Sequence, residues 1–361
     1  MNINNILIIW FKEHSRELPW KSDKDPYKIW ISEILLQQTR VEQAKSYYLK
    51  FIFEFPSVKI LAETPLDNLL RLWQGLGYYS RARNMHTAAK QIISEFHGHF
   101  PTSMKELLRL KGVGPYTAAA IAAFAFDEPV VALDGNAFRL FARLFAEPCP
   151  INTPVARNIF THLAQSCLLN TPSSLFNQAI MDFGSLVCKP HPKCNDCPLT
   201  NHCMSYLQNR VMEFPVKGAK KAPRNRYFYY LHITQQEHTF IQQRLQKDIW
   251  QNLYQFPLLE THSPIPLDAF TDLPEWSAIF DNQTPYIIGY SSKYVHHLTH
   301  QTLHTFFIHI HIEEESSWLR NHCKKILSRD IDQYGISRLT ERYLLDESVK
   351  TIPLINVSLL E

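Results

Sequence analysis

The sequence lacks long apolar runs, internal repeats and low-complexity tracts. These absences argue against a membrane-spanning protein, a repeat protein and a disordered chain. The apolar stretch at residues 3–11, INNILIIWF, is too short to cross a bilayer, and no basic segment precedes it. We therefore expect the buried face of a first helix there, with no signal peptide and no membrane partner. Only 20% of the residues are charged, and the net charge of +3 permits a local basic face without establishing nucleic-acid binding.

Cysteine is also scarce outside one segment. Three cysteines are scattered singly, and the sequence shows no disulfide framework or targeting motif, which indicates a reducing, cytoplasmic location. The other four form Cys188-x5-Cys194-x2-Cys197-x5-Cys203. Four thiols in such a short segment can converge on one inorganic centre, either an iron–sulfur cluster or a tetrahedral zinc ion. The spacing alone leaves that choice open.

The chain of 361 residues is long enough to bury two cores, and two different sequence patterns follow one another along it. The first is helical and contains four expected helix starts, in which a capping side chain precedes a proline. These are Asp25-Pro26, Thr64-Pro65, Thr153-Pro154 and Thr171-Pro172.

The second sequence pattern follows residues 217–224, whose basic composition is typical of a linker. In it Phe306, Ile308 and Ile310 alternate with His309 and His311, the pattern of a half-buried strand. We expect a helical domain at 1–209, a basic linker at 210–226 and an α+β domain at 227–361.

A glycine-rich turn, LKGVG at 110–114, precedes Pro115 and is expected to open a helix. Such a turn at a helix N-terminus can bind a phosphate, although a plain helix–helix turn is the default. Downstream, LDGN at 133–136 places Asp134 after the apolar, strand-like stretch 129–133. Asp134 by itself could simply cap the next helix.

In that order, LKGVG, LDGN and the four cysteines resemble the helix-hairpin-helix glycosylases of base excision repair. WISEILLQQT at 30–39 and WQGLGYYSRARN at 73–84 further resemble the adenine DNA glycosylases of the MutY type, a likeness that covers nearly all of 1–210. The resemblance implies an all-α helix-hairpin-helix glycosylase domain with an iron–sulfur loop, followed by an α+β Nudix-like domain. It also implies a [4Fe–4S] cluster on the four cysteines. The family usually has six residues between the first two of them, whereas this chain has five.

Breaking a glycosidic bond to adenine is served by two carboxyl groups, one protonated as general acid and one ionised beside the developing cation. Glu33 lies in an apolar helical run, where desolvation should raise its pKa; a solvated or ion-paired glutamate is the alternative. The resemblance implies that Glu33 protonates N7 of adenine. It implies that Asp134 stabilises the cation and can bond to it transiently, and we group Asn136 with this catalytic set.

Tyr116 indicates the reaction subtype. Relatives resembling endonuclease III carry, two residues after the second hairpin glycine, a lysine that forms a Schiff base and cleaves the strand. A tyrosine offers no amine. The chain is therefore expected to be monofunctional, and Tyr116 could equally be an aromatic packed on the hairpin.

The resemblance also implies sites for DNA. Tyr78 is expected to be a wedge that helps to extrude the base, although an aromatic after Gly-Leu-Gly is otherwise more often core. Arg81 and Arg83 are expected to face phosphates. The full set of expected DNA contacts is Gln38, Thr39, Leu76, Tyr78, Arg81, Arg83, Gly112, Val113 and Gly114. The adenine pocket is expected at Trp20, Lys21 and Asp182.

In the second half, IQQR at 241–244 and IWQNLYQFP at 249–257 resemble the family's Nudix-like recognition domain, with Gln251 and Asn252 in place of its usual glycines. The acidic box of Nudix hydrolases is missing, so nucleotide hydrolysis lacks its metal ligands. Leu298-Thr299-His300 aligns with the Phe-Ser-His loop that checks for 8-oxoguanine, so Thr299 and His300 are expected to read the lesion. The alternative is a plain loop before a strand.

We expect a monomeric, monofunctional glycosylase, cytoplasmic and nucleoid-associated, that flips out adenine opposite 8-oxoguanine or guanine in double-stranded DNA and excises it. Two alternatives remain. A bifunctional glycosylase and lyase of the endonuclease III kind is opposed by Tyr116 and by the long second domain. A non-catalytic, metal-stapled DNA-binding protein would leave the pairing of Glu33 with Asp134 unexplained.

Overall fold

The first part of the chain is helical, as its sequence predicts. The computed structural model describes residues 2–21, 23–218, 222–266 and 269–346. The helices are α1 (Ile3–His14), α2 (Pro26–Leu36), α3 (Val41–Glu54), α4 (Val58–Glu63), α5 (Leu66–Leu72), α6 (Ser80–Glu95), α7 (Met104–Leu107), α8 (Pro115–Phe126), α9 (Gly135–Phe145), α10 (Pro154–Leu168), α11 (Ser173–Leu186) and α12 (Met204–Leu207). Short 3₁₀ turns lie at Cys194–Asp196, Thr200–His202 and Val211–Glu213.

The expected helix starts are confirmed in part. Asp25 caps α2 and accepts a hydrogen bond from the Tyr27 amide, with proline in the first helical turn. Thr153 is the N-cap residue of α10, although its side chain makes no capping bond. Pro65 and Pro172 are themselves the N-cap residues of α5 and α11, so these two helices begin one residue later than predicted.

The apolar N-terminal stretch forms the buried face of α1, as expected, with Ile6, Leu7 and Phe11 in the core. Within the described residues, no helix has the length and apolar character needed to cross a membrane.

The expected strand-like stretch before Asp134 is not a strand. It runs as irregular chain between α8 and α9, held by side chains of α11 instead of by a sheet. Asn177 accepts from the Ala132 amide at 2.7 Å and donates to the Val130 carbonyl at 2.9 Å, and the Ser173 hydroxyl also donates to that carbonyl. Buried side-chain partners thus satisfy backbone groups that a sheet would otherwise satisfy.

The second half is a mixed sheet with short helices, which confirms the α+β prediction. Its strands are β1 (Arg224–Gln235), β2 (His238–Gln243), β3 (Tyr254–Gln255), β4 (Leu258–Thr261), β5 (Tyr286–Tyr290), β6 (Tyr294–His297), β7 (Gln301–His311) and β8 (Lys324–Leu327). The main path is β3-β2-β1-β7-β5, with β4 on β1, β6 on β7 and β8 on β2. β1 and β7 are parallel, and the other named pairs are antiparallel. The helices are α13 (Pro274–Ile279), α14 (Ser317–His322) and α15 (Arg338–Leu345), with 3₁₀ turns at Ala269–Asp272 and Ser328–Gln333.

The alternating strand is confirmed as β7, but it is not half-buried. Ile308 and Ile310 pack into one apolar cluster, while Phe307 packs into another on the opposite face. His309 is buried as well, and the Tyr343 hydroxyl lies 2.9 Å from its Nε2. Layers on both faces of the central strand therefore bury the histidine that the sequence pattern placed towards solvent.

The described chain packs as two compact units. One contains Met1–Thr64 and Asn84–Lys220, and the other contains Pro65–Arg83 and Lys221–Glu361. Nothing in the sequence indicated that segment 65–83 packs with the second half. The boundaries 1–209, 210–226 and 227–361 stay a prediction, and residues 219–221 of the expected linker lie outside the described residues.

Candidate active site and DNA-contacting residues

Glu33 lies on α2 in an apolar setting and is only 5% exposed. The pKa of Glu33 is raised to about 7, chiefly because burial disfavours the charged carboxylate and in smaller part because of the nearby charge of Asp134. The Tyr116 hydroxyl opposes this by donating a 2.7 Å hydrogen bond to Oε2 of Glu33. The expected desolvation of Glu33 is confirmed: its carboxyl group is poised to hold a proton near neutral pH.

Asp134 is the N-cap residue of α9, as the sequence allows. Its Oδ1 accepts from the Ala137 amide and its Oδ2 from the Asn136 side chain, both at 2.7 Å. The pKa of Asp134 is raised, because the effect of burial exceeds that of these two hydrogen bonds, which lower it. Because the donors and the helix N-terminus all favour negative charge, Asp134 is the better placed of the two carboxyl groups to stay ionised.

A chain of hydrogen bonds runs from Asp134 to the cysteine segment. Asn136 accepts a 2.8 Å bond from Arg139, which also donates to the carbonyls of Gly184 at 2.6 Å and Cys188 at 2.7 Å. The guanidinium group of Arg139 therefore links Asn136, which contacts Asp134, to the backbone of Cys188, the first cysteine of the motif.

Four cysteines line one cavity of about 390 Å³, which includes space open to solvent. They are Cys188, Cys194, Cys197 and Cys203, and no disulfide joins any described cysteine. Arg143 braces the first segment by donating to the carbonyls of Lys189 at 2.5 Å and Pro190 at 2.9 Å. Four thiol donors around one cavity are the ligand set that an iron–sulfur cluster requires. Among the described residues, no three His, Cys, Asp or Glu side chains form a group that could hold a single metal ion.

The glycine-rich hairpin has the geometry that the sequence predicts. Gly112 has φ +78°, and a Cβ there would lie 2.5 Å from Cβ of Asn84, so no other residue fits without strain. Gly114 caps α8 without a side-chain hydrogen bond, and Val113 between the two glycines is buried. Gln91 holds the approach to the hairpin by accepting from the Lys111 amide at 2.7 Å.

Two of the three expected adenine-pocket residues are in contact. The Lys21 ammonium pairs with the buried carboxylate of Asp182, and burial lowers the pKa of Lys21. Arg16 also donates to Asp182, with its Nη2 at 2.7 Å from Oδ1. Trp20 is buried and packs edge-on against Tyr48 at a centroid distance of 5.3 Å.

Gln38 and Tyr78, two of the expected DNA contacts, are exposed and have left-handed backbone with φ of +59° and +47°. Residues other than glycine rarely adopt this backbone conformation, and those that do are concentrated at functional sites. Thr39, beside Gln38, is half-buried and donates weakly to the Gln37 carbonyl at 3.4 Å.

The turn before Tyr78 corrects two expectations. Leu76 is buried and so does not present its side chain at the surface. Arg81 is also buried, and its Nη2 donates to the carbonyls of Leu76 at 3.2 Å and Gly77 at 3.3 Å instead of facing a phosphate. Arg83 is half-buried and donates to the Gln251 carbonyl at 2.8 Å, so its phosphate contact stays a prediction.

Thr299 and His300 form the exposed tip of the hairpin between β6 and β7. The Leu298 amide donates to the Gln301 carbonyl at 2.8 Å, and the Arg224 amide donates to the His300 carbonyl at 3.0 Å. The Thr299 hydroxyl lies 3.0 Å from that of Tyr78, so the structure brings together two residues that the sequence assigned to different tasks.

Sequence reasoning missed Arg16, Arg139 and Arg143. Arg139 and Arg143 lie one and two helical turns after Gly135 on α9, a spacing that could have suggested a common face. No comparable local signal accompanies Arg16, because Asp182 is far away in the chain.

Comparison with known proteins agrees with this geometry. Residues 31–162 match the family described as HhH-GPD superfamily base excision DNA repair protein, and residues 229–346 match the NUDIX domain. An adenine DNA glycosylase of Buchnera aphidicola subsp. Baizongia pistaciae is 37% identical over 320 residues, covering 87% of this chain and 88% of that one. The chain belongs to the adenine DNA glycosylase family. The resemblance and the fold class expected from the sequence are thereby confirmed.

Members of this family are N-glycosylases of base excision repair, which makes DNA the substrate. The adenine DNA glycosylase of Mus musculus is 37% identical over 211 residues, covering 55% of this chain and 41% of that one. Among solved structures, a thermostable thymine-DNA glycosylase aligns with a TM-score of 0.53 and 28% identity, over 57% of this chain and 95% of that one. An endonuclease III in a non-covalent DNA complex shares the fold, with a TM-score of 0.50 and 22% identity over 57% of this chain and 94% of that one.

Proposed function

We propose that this glycosylase excises adenine mispaired with 8-oxoguanine or guanine in double-stranded DNA and leaves an abasic site without cutting the strand. The observation that carries the proposal is the contact of Tyr116 with Glu33 beside Asp134. Glu33 is ready to donate a proton, and Asp134 accepts two hydrogen bonds that favour its charged form.

In the proposed reaction Glu33, protonated, donates its proton to N7 of the flipped adenine, which makes the base a better leaving group. The bond between N9 of adenine and C1′ of the sugar then breaks, and Asp134, held by Ala137 and Asn136, faces the sugar and stabilises the positive charge that develops there. A water molecule adds to C1′ and loses a proton, which gives the abasic site. Tyr116 positions the Glu33 carboxyl group. Tyr116 stands where bifunctional relatives carry a lysine, so the chain offers no amine at that place to form a Schiff base.

The remaining predicted contacts complete the proposal. The backbone of the hairpin at Gly112, Val113 and Gly114 would grip a phosphate, which positions the enzyme without reading sequence. Trp20 and Lys21, with Asp182 and the additional Arg16, would line the adenine pocket. Gln38, Thr39 and Tyr78 would brace the gap that the flipped base leaves, and Thr299 with His300 would read the base opposite.

The four cysteines that line one cavity support a [4Fe–4S] cluster as the resident cofactor. Its role in the proposal is structural, because it would hold the cysteine segment against Arg139, which donates to Asn136, the hydrogen-bond partner of Asp134. We also propose that the protein works as a monomer in the cytoplasm, associated with the nucleoid.

Product analysis tests the proposed reaction. The full-length protein is incubated with duplexes that carry adenine opposite 8-oxoguanine, adenine opposite guanine, or thymine glycol. We expect adenine release from the first two, with strand breaks only after alkali. Strand breaks without alkali would favour the bifunctional alternative, and binding without base release would favour the non-catalytic one.

A further inference from the structure

Tyr78 lies at the end of a turn that has little stiffness of its own. Gly75 and Gly77 have φ of +92° and +69°, and Tyr78 follows them with φ +47°. Glycine has the widest backbone freedom, and a tyrosine in the left-handed region persists only where its surroundings hold it there. Trp73 Nε1 closes the turn by donating to the Gly77 carbonyl at 2.9 Å. The position of Tyr78 therefore depends on the residues that hold the turn from outside.

The residue after it, Tyr79, is attached to the second half of the chain within the same unit. Tyr79 is only 4% exposed, and its hydroxyl donates to the Ile336 carbonyl at 3.2 Å. The acceptor is itself held, because Ile336 forms a parallel bridge with Tyr254 of β3 and the Tyr254 amide donates to the Gly335 carbonyl at 2.8 Å. Strand β3 thus holds the loop to which Tyr79 is bonded.

Arg83, in the first turn of α6, makes a second attachment to the same half. Its Nη1 donates to the Gln251 carbonyl at 2.8 Å, in the loop between β2 and β3. That loop is held by the Asn252 amide, which donates to the Arg244 carbonyl at 2.7 Å. The Arg83 amide donates to the Tyr79 carbonyl at 3.1 Å, so the two attachments are linked to each other.

A wedge works against a resisting force. Extruding a base from a duplex breaks its pairing and stacking, which costs free energy. A side chain can contribute to this cost only if its own backbone does not yield, since otherwise the turn would move instead of the base. The exposed tyrosine on its glycine-rich turn therefore needs a support that the turn itself does not provide.

We propose that Tyr79 is a positioning residue for base extrusion and that the second half of the chain supports the wedge through it. The bond from Tyr79 to the Ile336 carbonyl keeps Tyr78 in its left-handed conformation when the base stack pushes back. The second half then contributes to the extrusion of adenine whichever base lies opposite. The inference deepens the proposed function and rests on the role of Tyr78 in it.

The test combines single-turnover excision by saturating full-length protein with a fluorescence measurement of extrusion. For the second readout, the duplex carries a cleavage-resistant adenosine analogue beside 2-aminopurine, whose fluorescence rises when stacking is lost. Tyr79→Phe keeps the buried ring and removes only the hydroxyl. We expect it to lower the excision rate about fivefold to tenfold, the size of one hydrogen bond, and to reduce the fluorescence rise. The loss should be the same with 8-oxoguanine and with guanine opposite the adenine.

Tyr229→Phe is the matched control. Tyr229 is a buried tyrosine of the same unit whose hydroxyl also donates to a backbone carbonyl at 3.2 Å, that of Ile265. It lies outside segment 65–83, so its loss should leave the excision rate and the fluorescence rise unchanged. A duplex with mismatched pairs on both sides of the adenine supplies a rescue, because its stacking is already weakened. The difference between wild type and Tyr79→Phe should shrink on that duplex, whereas general destabilisation of the protein would leave it unchanged.

Tyr78→Ala makes the failures distinguishable. If Tyr78→Ala slows excision and reduces the fluorescence rise but Tyr79→Phe behaves like Tyr229→Phe, acts on only one duplex or is not rescued by flanking mismatches, the positioning role is wrong and the proposed function stands. If Tyr78→Ala changes neither readout, the wedge assignment fails, and the positioning role fails with it. Tyr78→Ala combined with Tyr79→Phe should match Tyr78→Ala alone, and a further loss would show that Tyr79 does not act through Tyr78.

Discussion

The Tyr116 hydroxyl donates a 2.7 Å hydrogen bond to Oε2 of Glu33, which joins the helix after the glycine-rich hairpin to the buried carboxyl group of α2. This bond favours the ionised carboxylate, while burial favours the protonated acid. Burial dominates, so the pKa of Glu33 settles at about 7, where the group can release and regain a proton during a reaction cycle.

This balance predicts a pH dependence. Only protonated Glu33 can act as the acid, so the single-turnover excision rate should fall as pH rises through about 7. Tyr116→Phe removes a contact that lowers the pKa of Glu33, so the midpoint of this limb should move to higher pH. Rates from pH 5.5 to 9 check this, with Tyr290→Phe as control. A midpoint that stays in place or moves to lower pH in Tyr116→Phe would contradict the assignment.

The two carboxyl groups should be separable from DNA affinity. We expect Glu33→Gln and Asp134→Asn each to abolish base excision while duplex binding persists, because both groups act on the transition state. Single-turnover assays and equilibrium binding on the same duplex measure the two effects. Near-normal turnover in either variant would rule out the two-carboxylate mechanism.

Several residues of this candidate site stand in local sequence patterns that indicate their environment. An apolar helix around Glu33, a capping Asp134 and two hairpin glycines are each readable from neighbouring residues. The pair formed by Arg16 and Asp182 joins residues 166 positions apart, and nothing local encodes it. The charge of Arg81 suggested a phosphate contact, whereas its guanidinium is buried against the Trp73 ring and donates to backbone carbonyls.

Sheet structure was predictable in type but not in burial. Alternation around His309 indicated a strand correctly, but it could not reveal that α15 would bring Tyr343 onto the other face. In the same way, the apolar sequence before Asp134 is typical of a strand. Its backbone is held instead by hydrogen bonds from Asn177 and Ser173, which follow it by more than forty residues.

The hairpin should depend on Gly112 far more than on Gly114. Gly112→Ala places a side chain at φ +78° and 2.5 Å from Cβ of Asn84, which should lower the free energy of unfolding by about 1–3 kcal/mol. It should also weaken duplex binding. Gly114→Ala is the matched control, because its Cβ would meet nothing within 4 Å, and we expect a change below about 1 kcal/mol. Equal losses of stability in Gly112→Ala and Gly114→Ala would contradict the prediction that the positive φ and the contact with Asn84 require a glycine at position 112.

The cysteine cavity predicts a coloured protein. Anaerobically handled protein should be brown, with broad visible absorbance from thiolate-to-iron charge transfer. Iron and sulfide analysis should give about four of each per chain, and Cys197→Ser should lower both. Colourless protein from iron-replete cells with one zinc ion per chain would instead identify a zinc site, despite the shared ligand set.

The last prediction separates chemistry from lesion recognition. Glu33, Tyr116 and Asp134 all precede Arg210, so a chain truncated after Arg210 should still excise adenine. The structure adds a condition, because Tyr79 donates to the Ile336 carbonyl at 3.2 Å and truncation removes this support for the segment that bears Tyr78. General DNA affinity should therefore fall as well.

Thr299→Ala combined with His300→Ala keeps the bond from Tyr79 to the Ile336 carbonyl. From segment 65–83 it removes only the contact between the Thr299 hydroxyl and that of Tyr78. The double variant should lose affinity for adenine opposite 8-oxoguanine by roughly 1–3 kcal/mol, the cost of one unmade hydrogen bond to a buried group, and much less for adenine opposite guanine. Single-turnover excision and binding on both duplexes measure this difference. An equal loss on the two duplexes would mean that the hairpin tip adds only general DNA affinity, because a contact with N7–H or the C8 oxygen exists only on the damaged base.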